Sequence, residues 1–572
     1  MSVDRVLVEK NIEIPMRDGV LTYADLYRPA YGGPVPGIVT RTPYDKEVFG
    51  GAVLPIMPAA LKLAERGYAV VVQDTRGRFA SEGAFDPFRD EGPDGYDTIE
   101  WIAAQSWCDG GVGIYGPSYV GATTMLAARE QPPSLKCAIP IITADDYYDG
   151  WTYQGGAYQL GFATLWGMGL AAALFLGRDR GLEREHLHEI AASINSAPDS
   201  LQTRPLESID GISRSEVAPW WRDWIAHESR DDYWEALRHS ADYGRFRIPM
   251  LHVGGWFDIF GLGTVRNFQG IRTAVEAPQH LFMGPWAHTN YDRYLGEMEF
   301  GPTGAAAFAG VVALYNQFFD AHLKGAPKDL PTVSYFLMGA NEWRTADEWP
   351  PSEAQQRSLY LRSSGNANSA RGDGTLSETA ASGSEPADRY LYDPDRPVPT
   401  EGGATLQAQV GLPGPRDQQA IESRDDVLCY TTPTLQAPLT VAGPVSVSLW
   451  ATTDAVDTDF TAKLVDVHPD GKAVSLCDGI IRARYRESFS EPCAVTPGKP
   501  ARYTIELAST AHRFATGHRL RLEVSSSNFP RFAPNPNTGG PLASEVNAIP
   551  AVQHVLHDAD HSSELTICIL PA

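Results

Sequence analysis

The chain is poor in cysteine, in basic charge and in long apolar runs. Six cysteines (108, 137, 429, 477, 493 and 568) occur in 572 residues, and no two are spaced Cys-x-x-Cys. That excludes a disulfide scaffold and a cysteine-built zinc site, and it fits thiols that are mostly reduced and buried. Lysine and arginine number 47 against 71 aspartates and glutamates, a formal net charge of −24. Nucleic acid is thereby excluded as the main partner, because phosphate requires basic surface. The longest apolar stretch, GMGLAAALFLG (167–177), is too short for a bilayer and is interrupted by glycine. The opening MSVDRVLVEKNIEIP lacks the apolar centre of a secretory leader. A cytoplasmic protein without membrane association is expected.

What is present is enough apolar material, 43% of residues, for several cores. Over residues 1–144 strand-like runs alternate with helical ones: GIVTRTPYD (37–45), a helical stretch before Gly67, YAVVVQD (68–74), DGYDTIEWIAAQ (94–105) with Ile99, Ile102 and Ala103 on one side, VGIYG (112–116), GATTMLAARE (121–130) and LKCAIPII (135–142). Such alternation implies a mostly parallel sheet. Residues 145–245 turn aromatic and helical with little strand signal, which predicts an inserted helical cap. The strand–helix pattern resumes over 246–351, with IPMLHVGGWFD (248–258), HLFMGPWAH (280–288) and a helix near 304–324. That helix places Phe308, Val311, Val312, Tyr315 and Phe319 on one stripe and stops at Gly325. Residues 352–400 are rich in serine and glycine and read as loop or linker. Beyond them GPVSVSLWATT, FTAKLVDVHPDGKAVSL and HRLRLEVSSS alternate with period two, and HPDG (468–471) marks a hairpin turn. The expected architecture is an α/β-hydrolase domain with an inserted helical cap, then a linker and a jelly-roll-like β-sandwich over 352–572.

GIYGPSYVGATT (113–124) sets Ser118 between glycines at a strand-to-helix turn. This is close to the Gly-x-Ser-x-Gly elbow, with the last glycine one place late. A serine so placed is a nucleophile or merely a turn residue. The nucleophile needs a base to take its proton and an acid to orient the base. In α/β-hydrolases the chain order is Ser, Asp or Glu, His, each just past a strand. Asp258 and His288 satisfy that order, although an aspartate after a strand is often a helix N-cap. Asp74 also ends a strand but precedes the serine. The N–H of Tyr119 is a candidate oxyanion donor. The early loop RTPYDK (41–46) offers the Tyr44 phenol as a second, or as a residue that packs on the sheet edge.

Together RTPYDK, QDTRGRFASEG, GGVGIYGPSYVG, GGWFD and GPWAH resemble the S15 family of serine hydrolases, which contains cocaine esterase, α-amino acid ester hydrolases and X-prolyl dipeptidyl aminopeptidases. The resemblance runs nearly the length of the chain. It implies Ser118 as nucleophile, Asp258 as acid, His288 as base, and Tyr44 with the N–H of Tyr119 as the oxyanion hole. It also implies an acyl pocket between the main domain and the cap, walled by Trp151 and Trp166. Phe260 is a candidate third wall, and Leu406 either reaches in from the β domain or packs within its own core. Aromatic walls favour a bulky or aromatic acyl group. In the amino-acid ester hydrolases a carboxylate cluster holds the substrate ammonium; Asp145, Asp146 and Asp149 are the candidates here, or else loop and cap residues. The expectation is a carboxylic ester, or alternatively an amide, cleaved through an acyl-serine. No metal or organic cofactor is required, and a homodimer is left open through edge strands. The competing readings are an X-Pro aminopeptidase or β-lactam or amino-acid ester acylase, and a non-catalytic carbohydrate-binding protein.

Overall fold

The computed structural model describes residues 5–51, 55–176, 184–214, 217–327 and 329–571. Among them the first sheet has ten strands. In spatial order these are Val6–Pro15, Leu21–Pro29, Ala69–Asp74, Val35–Thr42, Cys108–Pro117, Leu135–Ile141, Met250–Phe257, Gln279–Ala287, Val333–Leu337 and Glu342–Ala346. The seven strands from Ala69–Asp74 to Val333–Leu337 run parallel, and antiparallel strands close both ends. Period two decides which face each side chain covers. Ile38, Val70 and Val72 pack with Leu63, Phe318 and Phe319 on one face. Val39 and Val71 pack with Ile99, Ile102 and Met125 on the other. Both faces are apolar because helices cover both, and this explains the uninterrupted AVVV run.

The predicted helix over 304–324 is two helices, Ala306–Ala309 and Val311–Leu323, separated by Gly310 in the left-handed region at φ 76°. The break rotates Phe308 off the expected stripe, leaving it 75% exposed, while Val311, Tyr315 and Phe319 are buried as the pattern required. Residues 145–245 carry the helices Leu160–Ala173, Arg184–Asn195 and Pro219–Ala226 with shorter turns. A two-residue hairpin, Tyr153–Gln154 with Ala157–Tyr158, also occurs there and was not anticipated.

The stretch 352–400 is not a linker. Gln355–Arg362 pairs antiparallel with Glu564–Leu570, Asp388–Tyr392 pairs with Ala551–Leu556, and Thr375–Ser377 joins the same sheet. Leu359, Leu361, Tyr390 and Tyr392 fill the sandwich core. The serine- and glycine-rich loops between these strands diluted their short alternation. The second sheet, eleven strands among the described residues, is antiparallel apart from one parallel contact, Thr375 opposite Thr431. Its longest strand, Leu439–Thr453, pairs with three others, so the sheet folds over a single core. HPDG forms the turn between Asp459–Val467 and Ala473–Arg482.

Candidate active site

Three parallel strands of the first sheet present their C-terminal ends to one place. Cys108–Pro117 runs into Ser118, which heads helix Tyr119–Arg129 at φ 59°, ψ −125°. A non-glycine residue at positive φ is strained and persists only when its surroundings hold it there. Here the Ser118 N–H donates to the Ile141 carbonyl at 2.9 Å, and the Ser118 carbonyl accepts from the Ala122 N–H at 3.0 Å. The flanking glycines are sterically required. A Cβ on Gly116 would lie 2.1 Å from Val120 Cγ1, and one on Gly121 would meet Thr143 Cβ at 2.7 Å. The late glycine is therefore the point where the helix crosses the next strand.

Met250–Phe257 and Gln279–Ala287 are paired in parallel and end at Asp258 and His288. The Ser118 hydroxyl lies 2.9 Å from His288 Nε2, and His288 Nδ1 lies 2.7 Å from Asp258 Oδ2. Since an ionised carboxylate only accepts, Nδ1 carries the proton and Nε2 is left to accept from the serine. The other Asp258 oxygen accepts the Phe260 N–H at 2.7 Å, and the Tyr291 hydroxyl donates to the His288 carbonyl. Asp258 and His288 are buried, 4% and 6% exposed, so their interaction is little screened by water.

The Tyr44 loop is held from three sides. Thr42 Oγ1 accepts the Tyr44 N–H at 3.0 Å, Asp74 Oδ1 accepts the Lys46 N–H at 2.7 Å, and Arg78 Nε donates to the Pro43 carbonyl at 2.9 Å. Arg78 also donates to the Leu170 carbonyl of the cap at 3.0 Å, tying loop and cap together. Asp74, considered above only as an acid in the wrong order, thus anchors this loop. Burial pushes its carboxyl up to about 7 against the opposing Lys46 and Ala80 amides. The Tyr44 hydroxyl accepts the Trp166 indole N–H at 3.1 Å. Burial pushes the phenol up to about 12. The Tyr119 N–H opens its helix, where the first N–H groups have no intrahelical acceptor.

Behind Tyr119 lies an arrangement that sequence reading missed. The Tyr119 hydroxyl donates to Glu91 Oε1 at 3.0 Å and accepts from the Phe88 N–H at 2.9 Å, while Glu91 pairs with Arg41 at 3.0 Å. Burial pushes Glu91 up to about 7, with the Arg41 charge opposing it. The only signal in the sequence was an arginine within a strand-like run, without a visible partner.

Trp151 stacks on Phe260 with centroids 4.2 Å apart and meets Trp166 edge-on at 5.3 Å; Phe260 in turn sits edge-on to the His288 ring at 5.3 Å. Leu406 packs against the same cluster from the C-terminal half. Phe88, Phe162 and Trp224 complete the aromatic layer and were not foreseen. The acidic cluster lies elsewhere. Asp146 pairs with Arg230 at 2.7 Å, Asp149 with Arg266 at 3.1 Å, and Asp145 lies 3.8 Å from Arg266. These carboxylates face a cavity lined also by Arg238 and Phe489 but by none of Ser118, Asp258 and His288. Guanidinium groups already hold them, so the amine-binding role considered for them is not supported.

Fold and arrangement together define a serine hydrolase of the α/β-hydrolase class. The model described as X-Pro dipeptidyl-peptidase (S15 family) matches residues 18–290, and that of the X-Pro dipeptidyl-peptidase C-terminal non-catalytic domain matches residues 324–566. The chain belongs to this S15 family. It is 40% identical to the cocaine esterase of Rhodococcus sp. (strain MB1 Bresler) over 98% of both chains. Among solved structures it is similar to an aminopeptidase from a marine sediment Thaumarchaeota archaeon, at 27% identity and TM-score 0.82, covering 99% of this chain and 97% of the other. It is also similar to an α-amino acid ester hydrolase, at 26% identity and TM-score 0.79, covering 99% and 96%. The protein is a hydrolase, and no helix among the described residues is long and apolar enough to cross a membrane.

Proposed function

We propose that the protein cleaves carboxylic esters with a bulky or aromatic acyl group through an acyl-Ser118 intermediate. His288 Nε2 takes the Ser118 proton as the oxygen attacks the carbonyl carbon, then returns it to the leaving alcohol. Asp258 fixes the imidazole tautomer and stabilises the cation that forms. The Tyr44 hydroxyl and Tyr119 N–H receive the developing oxyanion. Water activated by His288 then releases the acid. The observation that carries this reading is the continuous relay Ser118–His288–Asp258, at 2.9 and 2.7 Å, from three strand ends. Trp151, Trp166 and Phe260 support the aromatic acyl preference. The cytoplasm is part of the same proposal, supported by six unpaired cysteines, five of them buried.

An aminopeptidase acting on a free α-amine is less well supported, because the acidic cluster is occupied by arginines. Ser118→Ala is expected to abolish p-nitrophenyl benzoate turnover and labelling by a fluorophosphonate while the circular dichroism spectrum stays unchanged. Retained turnover would remove the acyl-Ser118 step. Faster cleavage of X-Pro amides than of aryl esters by the unmodified protein would favour the peptidase.

A further inference from the structure

The C-terminal sandwich gathers three histidines around one carboxylate, away from the reaction site. Asp466 lies near the end of strand Asp459–Val467, and His468 opens the HPDG turn that follows. His512 lies on Ala501–Phe514, and His518 immediately precedes Arg519–Ser525. The turn of the Asp459–Val467 and Ala473–Arg482 hairpin therefore meets the connection between Ala501–Phe514 and Arg519–Ser525. Asp466 Oδ1 is 2.8 Å from His518 Nδ1, and Oδ2 is 2.9 Å from His512 Nε2 and 3.9 Å from His468 Nε2. One donor atom from each of Asp466, His468 and His518 lies within 4.8 Å of the other two. The His468 and His518 rings have centroids 4.4 Å apart. His468 Nε2 is shielded from solvent and has no hydrogen-bond partner among the described residues. A shielded, unsatisfied imidazole nitrogen requires an explanation, and a missing ion is one of the standard ones.

We propose that Asp466, His468 and His518 bind a divalent transition-metal ion of the zinc type. Two imidazoles and a carboxylate suit zinc and its neighbours, whereas calcium and magnesium prefer oxygen donors throughout. Bonds of about 2.0–2.2 Å place the donors of a tetrahedral zinc roughly 3.3–3.5 Å apart. Asp466 Oδ1 is 2.8 Å from His518 Nδ1, Oδ2 is 3.9 Å from His468 Nε2, and one donor from each residue lies within 4.8 Å of the others, so side-chain rotations must bring His468 in to reach that spacing. His512 donates Nε2–H to the second Asp466 oxygen and so orients the carboxylate as a positioning residue. On binding, the proton on His518 Nδ1 leaves that nitrogen for Nε2 or for solvent, and the nitrogen lone pair goes to the ion. The His468 and His518 side chains are 31% and 17% exposed, so an ion can enter from solvent.

The site adjoins the seam between the two folds. Met338, just past strand Val333–Leu337 of the first sheet, donates its N–H to the Ala511 carbonyl at 3.0 Å and accepts from the Arg513 N–H at 2.8 Å. An ion here clamps the hairpin turn to the 515–518 connection beside that seam, a structural role separate from ester cleavage.

Chelator-treated full-length protein titrated with Zn²⁺ by calorimetry, and with Co²⁺ by visible absorption, tests this. One equivalent of Zn²⁺ is expected, with a higher melting temperature by mass action and intense Co²⁺ bands of a four-coordinate site. His468→Gln and His518→Gln should each weaken binding by about a hundredfold or more, and His512→Gln by about ten- to a hundredfold, with aryl-ester turnover retained as the check on folding. Absence of saturable Zn²⁺ binding at micromolar concentration, or full retention of binding in the first two variants, overturns the proposal. If a variant loses turnover, the Co²⁺ spectrum of the unsubstituted protein decides: weak six-coordinate bands, or none, overturn it.

Discussion

The Tyr44 hydroxyl uses its oxygen to accept the Trp166 N–H, which leaves its own proton available as a donor. With burial holding the phenol up to about 12, it remains a neutral donor at every pH at which the esterase would be assayed. Tyr44→Phe removes that proton and little volume. We expect kcat to fall by about a hundred- to a thousandfold, as for loss of one oxyanion donor, with KM nearly unchanged; steady-state kinetics on an aryl ester measures both. A rate within a few-fold of the parent would reassign Tyr44 to packing. At this scale the sequence was most legible where chain position itself carries meaning. Ser118, Asp258 and His288 each follow a strand, and strand ends converge in a parallel sheet. Glu91 and Arg41 were invisible because their partnership exists only after a helix docks against a strand.

Elements were legible when their side-chain period was sustained. AVVVQD, LKCAIPI and MLHVGGWF needed no partner to be read, since burial on both faces leaves an apolar signature. Strands Gln355–Arg362 and Asp388–Tyr392 carry only two buried apolar residues each and are held to the sandwich partly by polar contacts. Asp388 is fully buried, 3.0 Å from His557 Nε2 and 2.7 Å from the Tyr430 hydroxyl, and it accepts the Ser363 hydroxyl and the Ala367 N–H. Burial alone would raise its carboxyl, but the His557 hydrogen bond and the other donors outweigh it and hold the group below its usual range. Asp388→Ala leaves the histidine and tyrosine without their acceptor. Breaking such a buried pair costs about 3–5 kcal/mol, so the sandwich should unfold at markedly lower urea concentration. A change in midpoint no larger than that of a surface substitution would show that the apolar residues alone hold these strands.

At the scale of the whole molecule, one aromatic core joins all three regions. Tyr119 and Phe260 come from the helix starts that follow strands of the first sheet, Trp166 and Trp224 from the cap, and Val410 and Phe529 from the C-terminal half. This aromatic core is thus a tertiary product, and no window of sequence could show its shape. Burial also leaves several carboxyls poorly hydrated, which gives stability a definite pH dependence. Glu91, Asp74 and Asp145 are each raised to about 7, chiefly by burial. The folded state therefore binds their protons more tightly than the unfolded state. Their contribution is complete below the unfolded values near 4 and is lost as pH rises through about 7. Asp388, Asp466 and Glu385 are lowered, so their contribution is present above about 4 and is lost under more acidic conditions. The two sets place the stability maximum in the mildly acidic range. For Glu91 the change from 4.5 to about 7 corresponds to about 3 kcal/mol. Glu91→Gln keeps an acceptor for the Tyr119 hydroxyl but cannot ionise. Calorimetric melting at one scan rate from pH 4 to 9 should show the parent losing melting temperature between about pH 5 and pH 7 and levelling off above, with a shallower decline in this variant. Parallel curves for the two proteins would mean that Glu91 stays ionised against Arg41 throughout, and that burial does not govern its proton.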